Sequence, residues 1–221
     1  MADEHHNIRN FSLLLALTAG FCDAITFITA DEFSAHVTGN FILFAYDVIK
    51  GADSQSWAKL ITLPVFIIAV ITGGWLIGKT SNKHSILLLE GFILAATGLI
   101  AFVLKFENIS LGWLAYGIVM PVVFSMGLQN AFGKLFSKET YGPTTMMTGN
   151  VTQAALDFWK VIKTKFGDSL VIESLKHQSL IIGGFLAGCL LGSVAGKVIG
   201  LTGLLLPGIA LIIYPKKDSI V

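Results

Sequence analysis

The stretch HVTGNFILFAYDVIK, from His36 to Lys50, returns later in the chain as MMTGNVTQAALDFWK, from Met146 to Lys160. Both versions contain Thr-Gly-Asn, and both place an Asp and a Lys at the same two offsets after it. On a helix these two charges would be three residues apart and would face each other. A duplicated polar pattern in an apolar chain predicts that the protein is built from two copies of one unit.

The duplication extends in both directions from Thr-Gly-Asn. Upstream, Gly20–Ala24 and Gly127–Ala131 share the order glycine, two residues, Asp or Asn, alanine, so that Asp23 corresponds to Asn130. Downstream, each half contains Gly-x-x-x-Gly-Lys, ending at residues 79 and 197. We therefore expect one membrane domain over residues 1–221, with repeats at about 9–105 and 111–214.

Composition indicates a membrane protein. The chain is 54% hydrophobic and 13% charged, with a mean hydropathy of +0.75, whereas soluble domains carry roughly 25% charged residues. A net charge of +1 provides no basic surface for nucleic acid. The two cysteines lie far apart within apolar runs, which suggests neither a disulfide framework nor a metal site. No cofactor and no metal are expected, and the acidic N-terminus does not resemble a cleaved signal peptide.

Six segments are long and apolar enough, or nearly so, to cross a bilayer. They are Asn10–Ala30, Trp57–Lys79, His84–Lys105, Leu111–Gly133, Ser179–Val198 and Gly200–Tyr214. Three spans in each repeat would make the second repeat enter the membrane upside down, a plan common among secondary transporters. The predicted fold is therefore all-α and transmembrane, with six spans arranged as two inverted three-span repeats.

Lysine and arginine are distributed unequally between the predicted loops, which sets orientation. With the N-terminus inside, the cytoplasmic side collects Arg9, Lys79, Lys83, Lys134, Lys138, Lys160, Lys163, Lys165, Lys176, Lys216 and Lys217. The opposite side has Lys50, Lys59, Lys105 and Lys197. Both termini are therefore predicted to be cytoplasmic.

Each Thr-Gly-Asn is predicted to begin a half-helix or re-entrant segment within the membrane. The distance from Thr38 to Lys50 is about 18 Å along a helix, close to half the hydrocarbon thickness. Thr and Asn are favoured N-cap residues, and Gly permits a sharp turn. Alternatively, each motif caps an amphipathic helix at the membrane surface.

Two half-helices entering from opposite faces would point their N-termini at one another, which suits an anion or the electronegative part of a solute. The candidate substrate-binding residues are Asp23, Thr38, Gly39, Asn40, Gln129, Asn130, Thr148, Gly149 and Asn150. Asp23 is ionisable inside a span, where such residues are usually functional, so it is also the candidate for proton coupling. The alternative is that Asp23 hydrogen-bonds the backbone of its own broken helix.

Two further residues are candidates for gating or proton coupling. His36 titrates near neutral pH and precedes the first Thr-Gly-Asn, although a histidine in a solvated loop fits the same pattern. Glu90 lies near the start of the third predicted span, where we expect it to reach the cytoplasmic interface rather than to be buried.

The fifth predicted span carries glycines at every fourth position. They are Gly184, Gly188, Gly192 and Gly196. Small residues at this spacing let helices approach closely, either within the subunit or between the subunits of a homo-oligomer.

Four blocks carry a resemblance to a known family. They are AGF-x-DA from Ala19, H-x-TGN from His36, MG-x-QNA from Met126, and the second TGN from Thr148. Together they resemble the YoaK-like family of bacterial six-span membrane proteins, over nearly the whole chain. The resemblance implies a location in the bacterial inner membrane. The family has no assigned function, so the resemblance supplies no substrate.

Function is therefore predicted from the polar residues within the spans. We expect a non-enzymatic transporter of a small molecule or ion, embedded in lipid, with its site at the midplane between the two Thr-Gly-Asn turns. A passive pore is one alternative, and a non-catalytic membrane scaffold or sensor is another. Enzymatic activity is not expected, because the chain lacks GxSxG, HExxH and clustered histidines.

Overall fold

The computed structural model describes residues 2–51, 56–79, 84–107, 109, 112–137 and 139–214. These residues form eight α-helices and one short 3-10 helix, and they contain no strand. The α-helices are α1 (Ala2–Ala30), α2 (Gly39–Lys50), α3 (Ala58–Lys79), α4 (Ser85–Phe106), α5 (Gly112–Leu135), α6 (Met147–Lys163), α7 (Ser169–Ile199) and α8 (Leu205–Ile213), with the 3-10 helix at Gly200–Leu204.

Five helical stretches within the described residues are long and apolar enough to cross a membrane. They are Asn7–Ala30, Ala58–Lys79, Ser85–Phe106, Leu114–Leu135 and Ser169–Ile213. The first four agree with the predicted spans to within a few residues. The chain is therefore an all-helical membrane protein, as its composition indicated.

The fifth and sixth predicted spans differ from the structure. α7 begins at Ser169, ten residues before the prediction, because Asp168 accepts hydrogen bonds from the N–H groups of Leu170 and Val171 at 3.1 and 3.2 Å. It ends where Gly200 takes a φ of 65°. The segment predicted as the sixth span is a 3-10 turn followed by α8, whose nine residues extend only about 14 Å.

Helices α1 and α7 lie against each other in parallel. Gly184 faces Leu13, Gly188 faces Leu17 and Gly192 faces Phe21. Residue numbers rise in the same direction along both helices. The approach is close, because a Cβ atom on Gly188 would lie 2.2 Å from the carbonyl oxygen of Leu17.

The glycine ridge of α7 is thus used for packing within the subunit. All four of its glycines are buried, and each faces α1. The alternative, in which this ridge contacts a second subunit, does not agree with the structure, because α1 already covers it. A homo-oligomer would have to use another surface.

Two further pairs complete the bundle. α3 and α5 are also parallel, since Ala69 faces Gly127 and Gly73 faces Ala131. α4 and α8 are antiparallel: Gly91 contacts Gly208, while Gly98 contacts Leu205. Helices α1 and α5 lie at the centre of the bundle. In the most apolar 18-residue segment of each, 67% and 61% of the residues are buried, compared with 17% for α3.

The two ends of the described helices meet on the same side of the bundle. The Tyr214 hydroxyl donates to the carbonyl oxygen of Asn7 at 3.4 Å, and its ring stacks on Phe11 at 5.6 Å between centroids. Four of the lysines used to predict orientation fall outside the described residues. They are Lys83, Lys138, Lys216 and Lys217.

We expect Gly188→Ala to destabilise the protein by about 2 kcal/mol or more, because the new methyl group would force α1 and α7 apart. The matched control is Gly183→Ala on the same helix, where a Cβ meets nothing within 4 Å. Its higher helix propensity should leave stability unchanged or raise it by up to about 1 kcal/mol. Thermal unfolding in detergent compares the two variants, and equal midpoints would contradict the close α1–α7 contact.

Candidate functional site

The loop after α1 turns back into the bundle and is held there by Asp23. α1 ends at Ala30, and Asp31 adopts a left-handed φ of 55°. The chain then folds back along α1 as far as Asp23. This residue lies seven residues before the end of the helix, a distance of about 10 Å at 1.5 Å per residue. There Asp23 Oδ1 accepts hydrogen bonds from the N–H groups of Ala35 (2.6 Å) and His36 (3.3 Å) and from the Ser34 hydroxyl (3.4 Å).

Asp23 also contacts the imidazole of His36. Its Oδ2 is hydrogen-bonded to His36 Nδ1, and the centroids of the His36 and Phe185 rings lie 5.4 Å apart in an edge-to-face arrangement. The hydrogen bond with Asp23 raises the pKa of His36, against the opposing effect of partial burial. His36 is therefore a partly buried histidine with a carboxylate partner, and not simply a solvated loop residue. Asp23 binds the backbone of the following loop, and not that of its own helix, which is unbroken from Ala2 to Ala30.

Asn40 holds the same loop from its other end. Its amide donates to the carbonyl of Phe33 at 2.8 Å and to the Thr62 hydroxyl at 3.0 Å, while its Oδ1 accepts the N–H of Phe33 at 2.8 Å. Asn40 is fully buried. It therefore ties the loop both to itself and to α3.

The second copy repeats this contact. Asn150 donates to the carbonyl of Pro143 at 2.8 Å, and in both copies the acceptor lies seven residues before the asparagine. Proline has no N–H to donate in return, so this bond lacks the reciprocal partner that Phe33 supplies.

Gln129, rather than Asn130, holds the second loop. Its amide donates to the Thr144 hydroxyl at 2.9 Å and to the carbonyl of Leu15 at 2.8 Å. Thr144 occupies the position that corresponds to Ser34, the residue that contacts Asp23. Asp23 holds the first loop, but in the second copy the residue one position before its counterpart holds the loop. The counterpart itself, Asn130, lines a cavity instead.

Threonine does not cap the two helices as expected. Thr38 occupies the N-cap position of α2 but makes no capping hydrogen bond. α6 begins at Met147, so Thr148 lies inside its first turn. The asparagine side chains point back into the preceding loops, because the carbonyls there need partners that the helix N-termini do not offer.

The two Thr-Gly-Asn turns come together around one cavity of about 270 Å³. Thr38 contributes from the first turn, and Thr148 and Gly149 from the second. Asn130, His36 and Thr145 complete its polar lining. Asn40, Asn150 and Gln129 are buried, and their hydrogen bonds hold the two loops that carry the lining.

His36 also lines a second cavity, of about 440 Å³, between α1 and α7. Asp23 and the rings of Phe27, Phe33 and Phe185 form part of its wall. His36 therefore lines both cavities, and its partner Asp23 lines the second.

Glu90 does not reach the interface as expected. It is fully buried, and neither carboxylate oxygen has a hydrogen-bond partner among the described residues. α8 covers this part of α4, since Gly91 contacts Gly208. The alternative reading, a buried carboxylate, is the one that the structure supports.

Glu32 and Lys59 belong to none of the sequence motifs and were not among the predicted site residues. Glu32 is fully buried without a hydrogen-bond partner in the described chain. Lys59 donates to Asp47 at 2.8 Å, so Asp47 pairs with α3 and not with Lys50, which lies over the Tyr46 ring. In the second copy, Asp157 accepts from Gln153 and Ser174. The i,i+3 spacing of Asp and Lys predicted none of these three partners.

The described residues hold no group of three or more His, Cys, Asp or Glu side chains arranged to bind a metal ion. The chemistry available at the cavity between the two turns is hydrogen bonding by hydroxyl, amide and imidazole groups.

The chain is similar to a protein family and to a curated membrane protein. Residues 11–214 match the family described as "Protein of unknown function (DUF1275)". The transmembrane protein YoaK of Bacillus subtilis (strain 168) is 27% identical over 174 residues, which cover 73% of this chain and 74% of YoaK. No solved structure matches the chain.

Replacing Asn40 by Ala should lower stability by about 2–5 kcal/mol, because both backbone polar groups of Phe33 lose their partner inside the bundle. Asn150→Ala should cost about 1–3 kcal/mol, since it removes one such bond. Thr38→Ala is the control and should stay within about 0.5 kcal/mol. Thermal unfolding ranks the three variants. A loss of about 1 kcal/mol for Thr38→Ala, with none for Asn40→Ala, would indicate that Thr38 caps α2 and would contradict the role of Asn40.

Burial raises the pKa of Glu32 from 4.5 to about 7, with Lys59 acting in the opposite direction. The folded state therefore binds this proton more tightly than the unfolded chain. The resulting stabilisation is complete below about pH 4.5 and is lost as the pH rises through 7.

We accordingly expect Glu32→Gln to flatten the decrease in unfolding midpoint between pH 5 and pH 8, roughly the interval that spans both pKa values. Glu107→Gln, at an exposed carboxylate, should leave the wild-type profile unchanged. Parallel profiles for wild type and Glu32→Gln would contradict the burial of Glu32.

Proposed function

We propose that this chain, which belongs to the family described as "Protein of unknown function (DUF1275)", transports a small polar solute across the membrane through the cavity between its two Thr-Gly-Asn turns. The observation that carries the proposal is that both turns, distant in sequence, line one cavity of about 270 Å³. That volume suits a solute of a few heavy atoms rather than a drug-sized ligand, whose pockets usually exceed about 300 Å³.

The transport proposal includes a six-span inverted repeat. Under this plan α1, α3 and α4 correspond to α5, α7 and α8, and the axis exchanges the two halves. Three contacts support it: α1–α7 and α3–α5 form equivalent parallel pairs, and α4–α8 forms an antiparallel pair that the axis would map onto itself. The location of Asn7 beside Tyr214 fits an even number of crossings.

Helices α2 and α6 would be the two half-helices. Both expose large apolar side chains, such as Ile42 and Ile49 on α2 and Leu156 and Trp159 on α6. Side chains of this kind suit contact with acyl chains better than contact with water. The loops that precede both helices fold back among the spans, where irregular backbone is tolerated only if it is buried in protein or lines a wet cavity.

The Asp23–His36 pair would couple transport to protons. Protonation of Asp23 would weaken its acceptance of two backbone N–H bonds and one hydroxyl bond, and would remove the ion pair with His36. The loop that carries Thr38 would then be free to move relative to α1. Because His36 contacts both cavities, its movement would change which of them is open to the solute.

The remaining features of the proposal follow the sequence. The protein would reside in the bacterial inner membrane with both termini in the cytoplasm, and it would act without catalysis. A passive channel would use the same cavity, open to both faces at once. A scaffold or sensor would leave the cavity without a role.

Cysteine accessibility distinguishes these three functions. We expect Thr38→Cys and Thr148→Cys, each in a Cys22→Ala/Cys189→Ala background, to react with a water-soluble methanethiosulfonate. In a transporter, each conformation should permit this reaction from only one face of the membrane. Ile71→Cys, which is exposed on the outer surface of α3, should react only with a lipid-soluble maleimide. Reaction from both faces at once would favour the channel, and no reaction at either threonine position would contradict transport.

Coupling is tested by Asp23→Asn in proteoliposomes that contain a pH indicator. A panel of small polar solutes is added outside, and proton entry and solute uptake are followed together. For any solute that the wild type accumulates, Asp23→Asn should equilibrate the solute without proton entry. Accumulation by Asp23→Asn that still depends on the proton gradient would remove Asp23 from the coupling role.

A further inference from the structure

A third cavity, of about 440 Å³, lies at the opposite end of the bundle from Asn7 and Tyr214. It forms where α4 and α7 end and the 3-10 helix begins. Lys105, in the last turn of α4, and Lys197, in the last turn of α7, both line it. Neither lysine belongs to the cavity proposed for transport.

The electrostatics of this cavity favour an anion. Both lysines are exposed, and none of the described residues that line the cavity is an Asp or Glu. Thr202 also lines the cavity, although its hydroxyl oxygen is buried and has no hydrogen-bond partner in the described chain. Two ammonium groups at the mouth of one cavity can bind a phosphate between them.

The remaining lining is apolar, which identifies the source of that phosphate. Ala101, Ile109, Ile199 and Leu201 line the same cavity as the lysines. Lys105 and Lys197 lie in the last turns of α4 and α7, helices of 22 and 31 residues that are each long enough to cross the membrane. They therefore lie at the depth where the headgroup region begins. A free phosphate would leave the apolar wall in contact with water, whereas a phospholipid would cover it with glycerol and acyl carbons.

We propose that this cavity is a binding site for an anionic phospholipid, whose phosphate lies between Lys105 and Lys197. The upper parts of the acyl chains cover the apolar wall. The site fixes the ends of α4 and α7 relative to each other. It does not depend on the proposed transport function.

The test uses the full-length protein in a neutral detergent, with phosphatidylglycerol, phosphatidylcholine of the same acyl chains, or inorganic phosphate added. Native mass spectrometry counts retained lipid, and thermal unfolding reports stabilisation. Near-saturating phosphatidylglycerol should raise the midpoint by about 5 °C. Phosphatidylcholine and inorganic phosphate should produce much smaller shifts.

The decisive variant is Lys105→Gln/Lys197→Gln, which should bind phosphatidylglycerol about 30-fold more weakly. The matched control is Lys50→Gln/Lys79→Gln. It also removes two last-turn lysines but leaves the cavity intact, since Lys50 lies over Tyr46 and Lys79 over Trp75. The control should bind the lipid as the wild type does.

Three results would overturn the proposal. An equal loss of affinity in both double variants would indicate general charge attraction. Equal stabilisation by the two lipids would exclude recognition of an anionic headgroup. The same stabilisation by inorganic phosphate alone would show that the site takes the free ion and not a lipid.

Discussion

A peptide N–H or C=O without a partner costs several kcal/mol in the acyl region of a bilayer. Two loops of this chain turn back among the helices and leave the regular α-helical pattern there, so their backbone groups must find other partners. Asp23 and Asn40 supply them in the first loop, and Asn150 supplies one in the second, where Gln129 holds the Thr144 hydroxyl instead. This requirement explains why polar side chains occur at these points of an otherwise apolar chain, before any functional role is considered.

The same side chains bring the functional candidates together. With the loops tied down, Thr38 and Thr148 line one cavity, and His36 lies between that cavity and a second one. As a carboxylate, Asp23 stabilises the first loop. In the transport that we propose, it would also accept a proton and thereby release that loop. A group whose protonation weakens a structural contact is the kind of element through which a proton can change a conformation.

The sequence predicted the helical membrane class and four of the spans, because hydropathy is a local signal. Its duplicated motif also pointed to residues that line one cavity, such as Thr38, Asn130 and Thr148. It did not predict how Asn40 acts, since an asparagine before a helix is usually a cap and only the folded-back loop places the Phe33 carbonyl within its reach. The one-residue displacement from Asn130 to Gln129 likewise depends on the register of the second loop. Burial of Glu90 requires α8, which lies more than a hundred residues later in the chain, to cover α4.

The parallel pairing of α1 with α7 has a consequence for how the protein is made. Gly20 and Gly188 allow backbone contacts between helices about 170 residues apart, and α3 contacts α5 rather than α1. At a synthesis rate of roughly 5–20 residues per second, α1 would wait about 10–30 s for its main partner. During that interval its glycine-containing face and the charge of Asp23 would be exposed to lipid or to the insertion machinery. The first half of the chain therefore depends on the second for a stable place in the membrane, and biogenesis rather than activity is where a truncated chain should fail first.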